Sequence, residues 1–271
     1  MKKFVALLLT MIMLLSCTGI VAQAKVGDVV GTALHTDIVV YINNYAVPSY
    51  AVNGTSVIVA EDLANFGFDV IWDGNSRSLH IRRNSDFDVY PMFVSKGYTT
   101  GTKYTNILST DISVWAAGKR ITSYAMNGFT MIPVEELEMF GELYWDPSQR
   151  TLKLWVDDLD YLDEMQYVAH RYYPGTSVPD YGWITETICY SGEDQTDGTR
   201  IRMYLSDYSD VEKYINYIKS QGFTLSLATY DEDGYYEGYV NKSLRQGVLV
   251  QDTYDMGVFV QIEDSIDNWV E

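Results

Sequence analysis

The chain has 271 residues, 47% of them hydrophobic, which is enough for two or three small domains with buried cores. Its formal net charge is −18, and −20 once the two lysines of the leader described below are set aside. That charge repels nucleic acid and anionic membranes, and no apolar run is long enough to span a bilayer.

Lys2 and Lys3 precede the apolar run Phe4–Leu15, and Ala22-Gln23-Ala24 closes the segment. A charged start, an apolar middle and a small-residue site make residues 1–24 a signal peptide, with Lys25 as the mature start. Leu14-Leu15-Ser16-Cys17 is an imperfect lipobox, so the alternative is a chain lipid-anchored through Cys17. Either way the expected location is extracellular or in the cell envelope. Cleavage after Ala24 leaves only Cys189, which excludes an intramolecular disulfide. Cys189 alternates with Thr187 and Ser191 and reads as a buried structural cysteine.

The body of the chain opens with an internal repeat. Thr36-Asp37-Ile38 through Ile81 returns as Thr110-Asp111-Ile112 through Leu154, with roughly 18 of 45 aligned positions identical. Each copy reads as a strand (Asp37–Ile42; Asp111–Trp115), a turn (Asn43-Asn44; Ala117-Gly118) and a second strand (Ala46–Ala51; Ile121–Ala125). Asn53-Gly54 and Asn127-Gly128 mark a further turn. A short apolar run then leads into about two turns of helix, Ala60–Phe66 and Val134–Phe140, with acids in the first turn. Gly67 and Gly141 stand where a left-handed cap is expected. A closing hairpin carries Trp72, Asp73 and Arg77, repeated as Trp145, Asp146 and Arg150. The packing reading places the Trp on the helix, the Asp in the turn and the Arg on the Asp. The binding reading makes Trp72 and Trp145 ligand-stacking surfaces.

This order of motifs (a strand, Asn-Gly, an Ile-Pro-Val-Glu-like helix start, Leu-x-x-Phe-Gly, Trp-Asp, Arg-x-Leu-x-Leu) resembles the copper amine oxidase N-terminal-like domain, also called a stalk domain. The resemblance covers about residues 33–157, and such domains are common in exported proteins of Gram-positive bacteria. It implies a small α+β unit, a twisted antiparallel sheet packed on one short helix, without catalytic function. The first repeat departs from the pattern with Val59-Ala60 where the second has Pro133-Val134, and the connector between repeats is long. Oxidase chemistry does not follow from the likeness. His35, His80 and His170 lack metal-ligand spacing, and no Asn-Tyr-Asp or Asn-Tyr-Glu is present to supply a quinone. No cofactor or metal is expected.

Beyond Asp157-Asp158-Leu159-Asp160 the repeat ends. Tyr161–Tyr172 reads as a short helix, Trp183–Tyr190 and Arg200–Leu205 as strands, and Ser209–Gln221 as a helix capped by Ser209 with Glu212. Strands follow at Phe223–Thr229, Tyr235–Lys242, Gly247–Thr253 and Gly257–Ile262. The acidic loops Asp231–Gly234 and Glu193–Gly198 do not fit a calcium hand and read as hairpin turns. Tyr235, Tyr236 and Tyr239 are further stacking candidates.

The fold class expected is therefore α+β, made of residues 33–83, a connector 84–106, a second unit 107–157 and a separate C-terminal α+β domain 158–271. The function expected is an exported, non-catalytic envelope or surface protein that binds or spaces, with wall glycan or another envelope protein as partner. The alternative is a wall or glycan hydrolase using paired carboxylates in the C-terminal domain.

Overall fold

The computed structural model of the chain describes residues 24–86, 88–157, 164–230, 234–253 and 257–266. The leader through residue 23 with Cys17, the acidic boundary at 158–160 and the loop at 231–233 lie outside the described residues.

The expected α+β class gives way to a β-rich fold. Twenty strands among the described residues form four sheets, one of them closed into a barrel. The reason lies in the length of the expected helices. The acidic segments of the repeats make only the 3-10 runs Glu61–Asn65 and Val134–Phe140, too short to form a helical layer. Residues 164–172, expected to be helical, instead run extended, with isolated bridges Ser95↔Ala169 and Tyr167↔Cys189.

The repeats correspond element for element, but they are not separate units. In the first copy the strands are β1 (Val29–Leu34), β2 (Val39–Ile42), β3 (Tyr45–Val47), β4 (Ser49–Val52), β5 (Thr55–Val59), β6 (Phe68–Asp73) and β7 (Ser78–Arg83). The second copy supplies β8 (Lys103–Leu108), β9 (Ser113–Ala116), β10 (Lys119–Ile121), β11 (Tyr124–Met126), β12 (Phe129–Pro133), β13 (Gly141–Asp146) and β14 (Thr151–Val156). The barrel order is β1-β4-β5-β12-β11-β8, three strands from each copy. In the antiparallel β5–β12 pair, Ile58 faces Ile132, its own counterpart. In β1–β8, Thr32 faces Asn106, again 74 positions on. A pseudo-twofold axis therefore runs through the barrel between these two pairs.

The closing hairpins are exchanged across that axis. β2 lies parallel to β14, and β9 lies parallel to β7, giving the sheets β13-β14-β2-β3 and β10-β9-β7-β6. Arg77 therefore forks onto Asp111 of the other copy, Nε to Oδ2 at 2.8 Å and Nη2 to Oδ1 at 2.7 Å. Arg150 does the same to Asp37, at 2.5 and 2.8 Å. The expected Arg–Asp pair inside each hairpin is replaced by this reciprocal pair between copies. Asp73 and Asp146 still close their turns, accepting from Asn75 N and Ser76 Oγ and from Ser148 N and Gln149 N. The strand expected over Ala46–Ala51 is split at Pro48, which has no N–H for a ladder. β3 stays in the hairpin sheet and β4 turns into the barrel.

One core joins both copies: Phe66, Phe68, Leu79 and Ile81 with Val114, Leu137, Leu152 and Leu154. Phe68 meets Phe140 edge-on at 5.1 Å between ring centres. Gly67 takes the expected left-handed φ of 79°, but Gly141 is extended at 171°. Glycine is required there for another reason: an added Cβ would lie 1.8 Å from the Trp155 carbonyl oxygen.

The C-terminal sheet runs β15 (Cys189–Asp194), β16 (Arg200–Tyr204), β20 (Gly257–Glu263), β19 (Gln246–Thr253), β18 (Gly234–Asn241), β17 (Thr224–Tyr230), all antiparallel. Residues expected as the start of a long strand form instead the one-turn helix α1 (Tyr181–Thr185). Asp180 dictates this by accepting from Gly182 N and Trp183 N. Helix α2 (Tyr208–Ser220) packs Val211, Tyr214 and Ile218 on the sheet. Its cap is Asp207 rather than Ser209, because Asp207 Oδ1 accepts from Ser209 N and Asp210 N.

Candidate functional site

The two units meet along the connector. Val94 packs with Val39, Tyr41, Ala46 and Val168. Ala169 accepts from Lys96 N at 2.7 Å and donates to Val94 O at 3.2 Å. Gln166 ties the junction further: its Oε1 accepts from Ala46 N and its Nε2 donates to Met92 O. Residues 93–98 are thereby held as the floor of a cleft.

On one side the cleft is a hollow of about 210 Å3 between the connector and the barrel. The His35 and Tyr98 rings stack at 4.2 Å, and Tyr50 stacks on Tyr104 at 4.6 Å. His35 also meets Tyr104 edge-on at 5.4 Å. Backbone pairing positions this group: His35 N donates to Thr102 O and Gly101 N to His35 O, which brings the end of β1 beside Tyr104 at the start of β8. Lys96 lines the same hollow, with Nζ 3.4 Å from Ser49 Oγ. Burial lowers the Lys96 ammonium to about 8, with Asp37 pulling the other way. Burial, then Lys96, holds His35 below the ordinary histidine value. Burial, then Tyr104, raises the Tyr50 hydroxyl.

On the other side lies a hollow of about 350 Å3 lined by Phe93, Tyr98, Trp183, Ile184, Lys213 and Tyr217 among others. Phe93, Ser95 and Tyr98 line both hollows, so the connector is a shared wall with an aromatic-lined hollow on each side. Gly97 fixes the junction. A Cβ there would lie 1.7 Å from Trp183 Nε1, so the backbone is pressed onto the indole with no room for a side chain.

The residues singled out in the sequence fall elsewhere. Trp72 and Trp145 are 49% and 41% exposed, on the outer strands β6 and β13, opposite Leu79 and Leu152. They stand outside the core cluster in which Leu63 and Phe66 lie, so they do not pack as the core reading required. Tyr235 lines a separate hollow of about 200 Å3 with Tyr208, Glu212 and Lys219 of α2. Tyr235 and Tyr239 donate to Glu237, at 2.8 and 2.5 Å. Tyr239 has no exposed surface and is a core residue, so no ligand can stack on it. Tyr236 points to the opposite face by strand alternation. Cys189 is buried, and burial pushes its thiol up to about 12.

Sequence reading missed His35, Tyr50, Lys96, Tyr98, Tyr104 and Trp183. The one available signal was the density of aromatics in the connector, Tyr90, Phe93, Tyr98 and Tyr104 within fifteen positions. Among the described residues no group of three His, Cys, Asp or Glu is placed to hold a metal ion, and no helix is long and apolar enough to cross a membrane. Comparison with protein-family models, curated proteins and solved structures finds no match.

Proposed function

We propose that the chain is an exported, non-catalytic envelope or surface protein that binds wall glycan in the aromatic hollows on either side of its connector, beside the intertwined repeats and the C-terminal helices. The observation that carries this reading is the pair of adjoining aromatic hollows, one lined by Tyr50, Tyr98 and Tyr104 and the other by Tyr98, Trp183 and Tyr217. Aromatic faces accept the C–H faces of sugar rings, and the phenol and indole edges offer hydrogen bonds. The leader supports export, and the resemblance to stalk domains supports a non-catalytic role.

The test is retention on purified peptidoglycan at low and high salt. Wild-type protein is expected to be retained at both, because stacking does not depend on charge. A Tyr98→Ala/Trp183→Ala variant is expected to lose most of the retention. No retention at either salt discards wall-glycan binding. Release of reducing ends during the incubation would instead make the protein a hydrolase, and unprocessed protein in the cytoplasmic fraction would remove the export reading.

A further inference from the structure

Lys96 is placed unlike the paired cations of the molecule. Arg77, Arg150, Arg200 and Arg202 each lie on a carboxylate. Lys96, mostly buried, has a hydroxyl, Ser49 Oγ, as its hydrogen-bond partner. Asp37 favours the charged form of Lys96 from a distance but is ion-paired to Arg150. An ammonium largely removed from water, with one hydroxyl in contact and no carboxylate of its own, is favoured further when an anion joins it. The hollow in front of it is flanked by two stacked pairs of rings.

We propose that His35, Ser49, Tyr50, Lys96, Tyr98 and Tyr104 form a subsite for a carboxylate-bearing sugar. Lys96 takes the carboxylate, and the outer faces of the exposed rings Tyr98 and Tyr104 take the pyranose ring. The proposal rests on the reading of the cleft as a glycan site and names the sugar class it prefers. A carboxylate fits better than a phosphate dianion. One monovalent ammonium balances one negative charge, whereas doubly charged phosphate calls for a forked guanidinium or several donors. The overall negative charge of the protein does not oppose this. In about 0.15 M salt distant charges are screened beyond about 8 Å, while a pair formed inside a hollow is not.

The site makes a pH-dependent prediction. The groups that face or influence Lys96 are His35 and His170, both held low by burial, Asp37, held low by Arg150, Tyr50, raised by burial, and the rings of Tyr98 and Tyr104. Lys96, near 8, is charged at pH 7 and mostly neutral at pH 9. A carboxylate ligand should therefore bind about tenfold more weakly at pH 9 than at pH 7, and a neutral sugar should show no such change.

The experiment is calorimetric titration of the full mature chain with oligogalacturonate and with the matching neutral oligogalactose, at pH 7 and pH 9. The acidic sugar is expected to bind about tenfold more tightly than the neutral one at pH 7, with the preference mostly gone at pH 9. Lys96→Met should abolish the preference, and Lys96→Arg should restore most of it. Equal binding of both sugars at pH 7 overturns the subsite and leaves the glycan cleft standing. Binding of neither overturns the subsite as well, and retention on peptidoglycan then decides separately whether the glycan reading survives. The wild-type comparison of the two sugars decides the matter even if the variants fail to fold.

Discussion

At the scale of single residues, the tryptophans that look most important in the sequence are not the ones that hold the fold. Trp72 is half exposed on an edge strand, whereas Phe68, next to the repeat's glycine, is buried against Phe140. Phe68→Ala should cost about 3–5 kcal/mol, and Trp72→Ala less than about 2 kcal/mol because much of its surface is already in water. Denaturant unfolding of both variants checks this; equal losses would mean that Trp72 is buried in solution. Phe68 was hard to read because it falls where the repeat alignment loses one position, so it has no counterpart to draw attention to it. Lys96 was harder still. Its neighbours His35, Ser49 and Tyr104 come from strands on both sides of the axis, and no local spacing brings them together.

At the scale of elements, the hairpins were legible and their partners were not. Asn53 and Asn127 have φ near +50° and are followed by glycines near +88°, the paired left-handed turn that Asn-Gly announces. The apolar strand β2, by contrast, carries no mark that selects β14 over β7, since both returning strands offer the same Leu-x-Leu or Leu-x-Ile edge. β1 and β8 were missed because VVGTAL and KYTNIL share only the final leucine. Exchange has a direct test. Residues 24–101 alone keep β1–β7 but lose the partner of every outward edge. In solution this fragment should be unfolded or should dimerise by completing the exchange with a second copy, as light scattering and amide exchange would show. A stable, folded monomer would contradict the strand order.

For the whole molecule, acid should weaken the fold in a defined window. Asp37 and Asp111 are held low by Arg150 and Arg77; Asp73, Asp146, Asp197 and Asp207 are held low by hydrogen bonds in turns and a cap. A carboxyl whose folded value lies below its unfolded one contributes stability that is present above about 3.9 and lost as pH falls through the lower folded value. Asp180 works against this. Burial raises it, more than hydrogen bonds from Tyr167 and the backbone of His170 and Trp183 lower it. His35 and His170, lowered by burial, add a smaller loss that begins below about 6.5. The unfolding temperature should therefore decline gently from pH 7 to 5 and steeply below about 4. A curve that stays flat down to pH 2.5 would show that these carboxylates hold no charge-dependent structure.

The exchange of hairpins also sets the order in which the molecule can be completed. β2 lies near the start of the described chain, yet the strand it pairs with, β14, ends at Val156. A chain synthesised from its amino end cannot close its first sheet until almost the whole of both repeats has emerged. Pairings this distant in sequence form slowly. Until then the apolar faces of β2 and β3 stand without cover. The same feature that welds the repeats into one body therefore leaves the nascent chain open until more than half of it has been made.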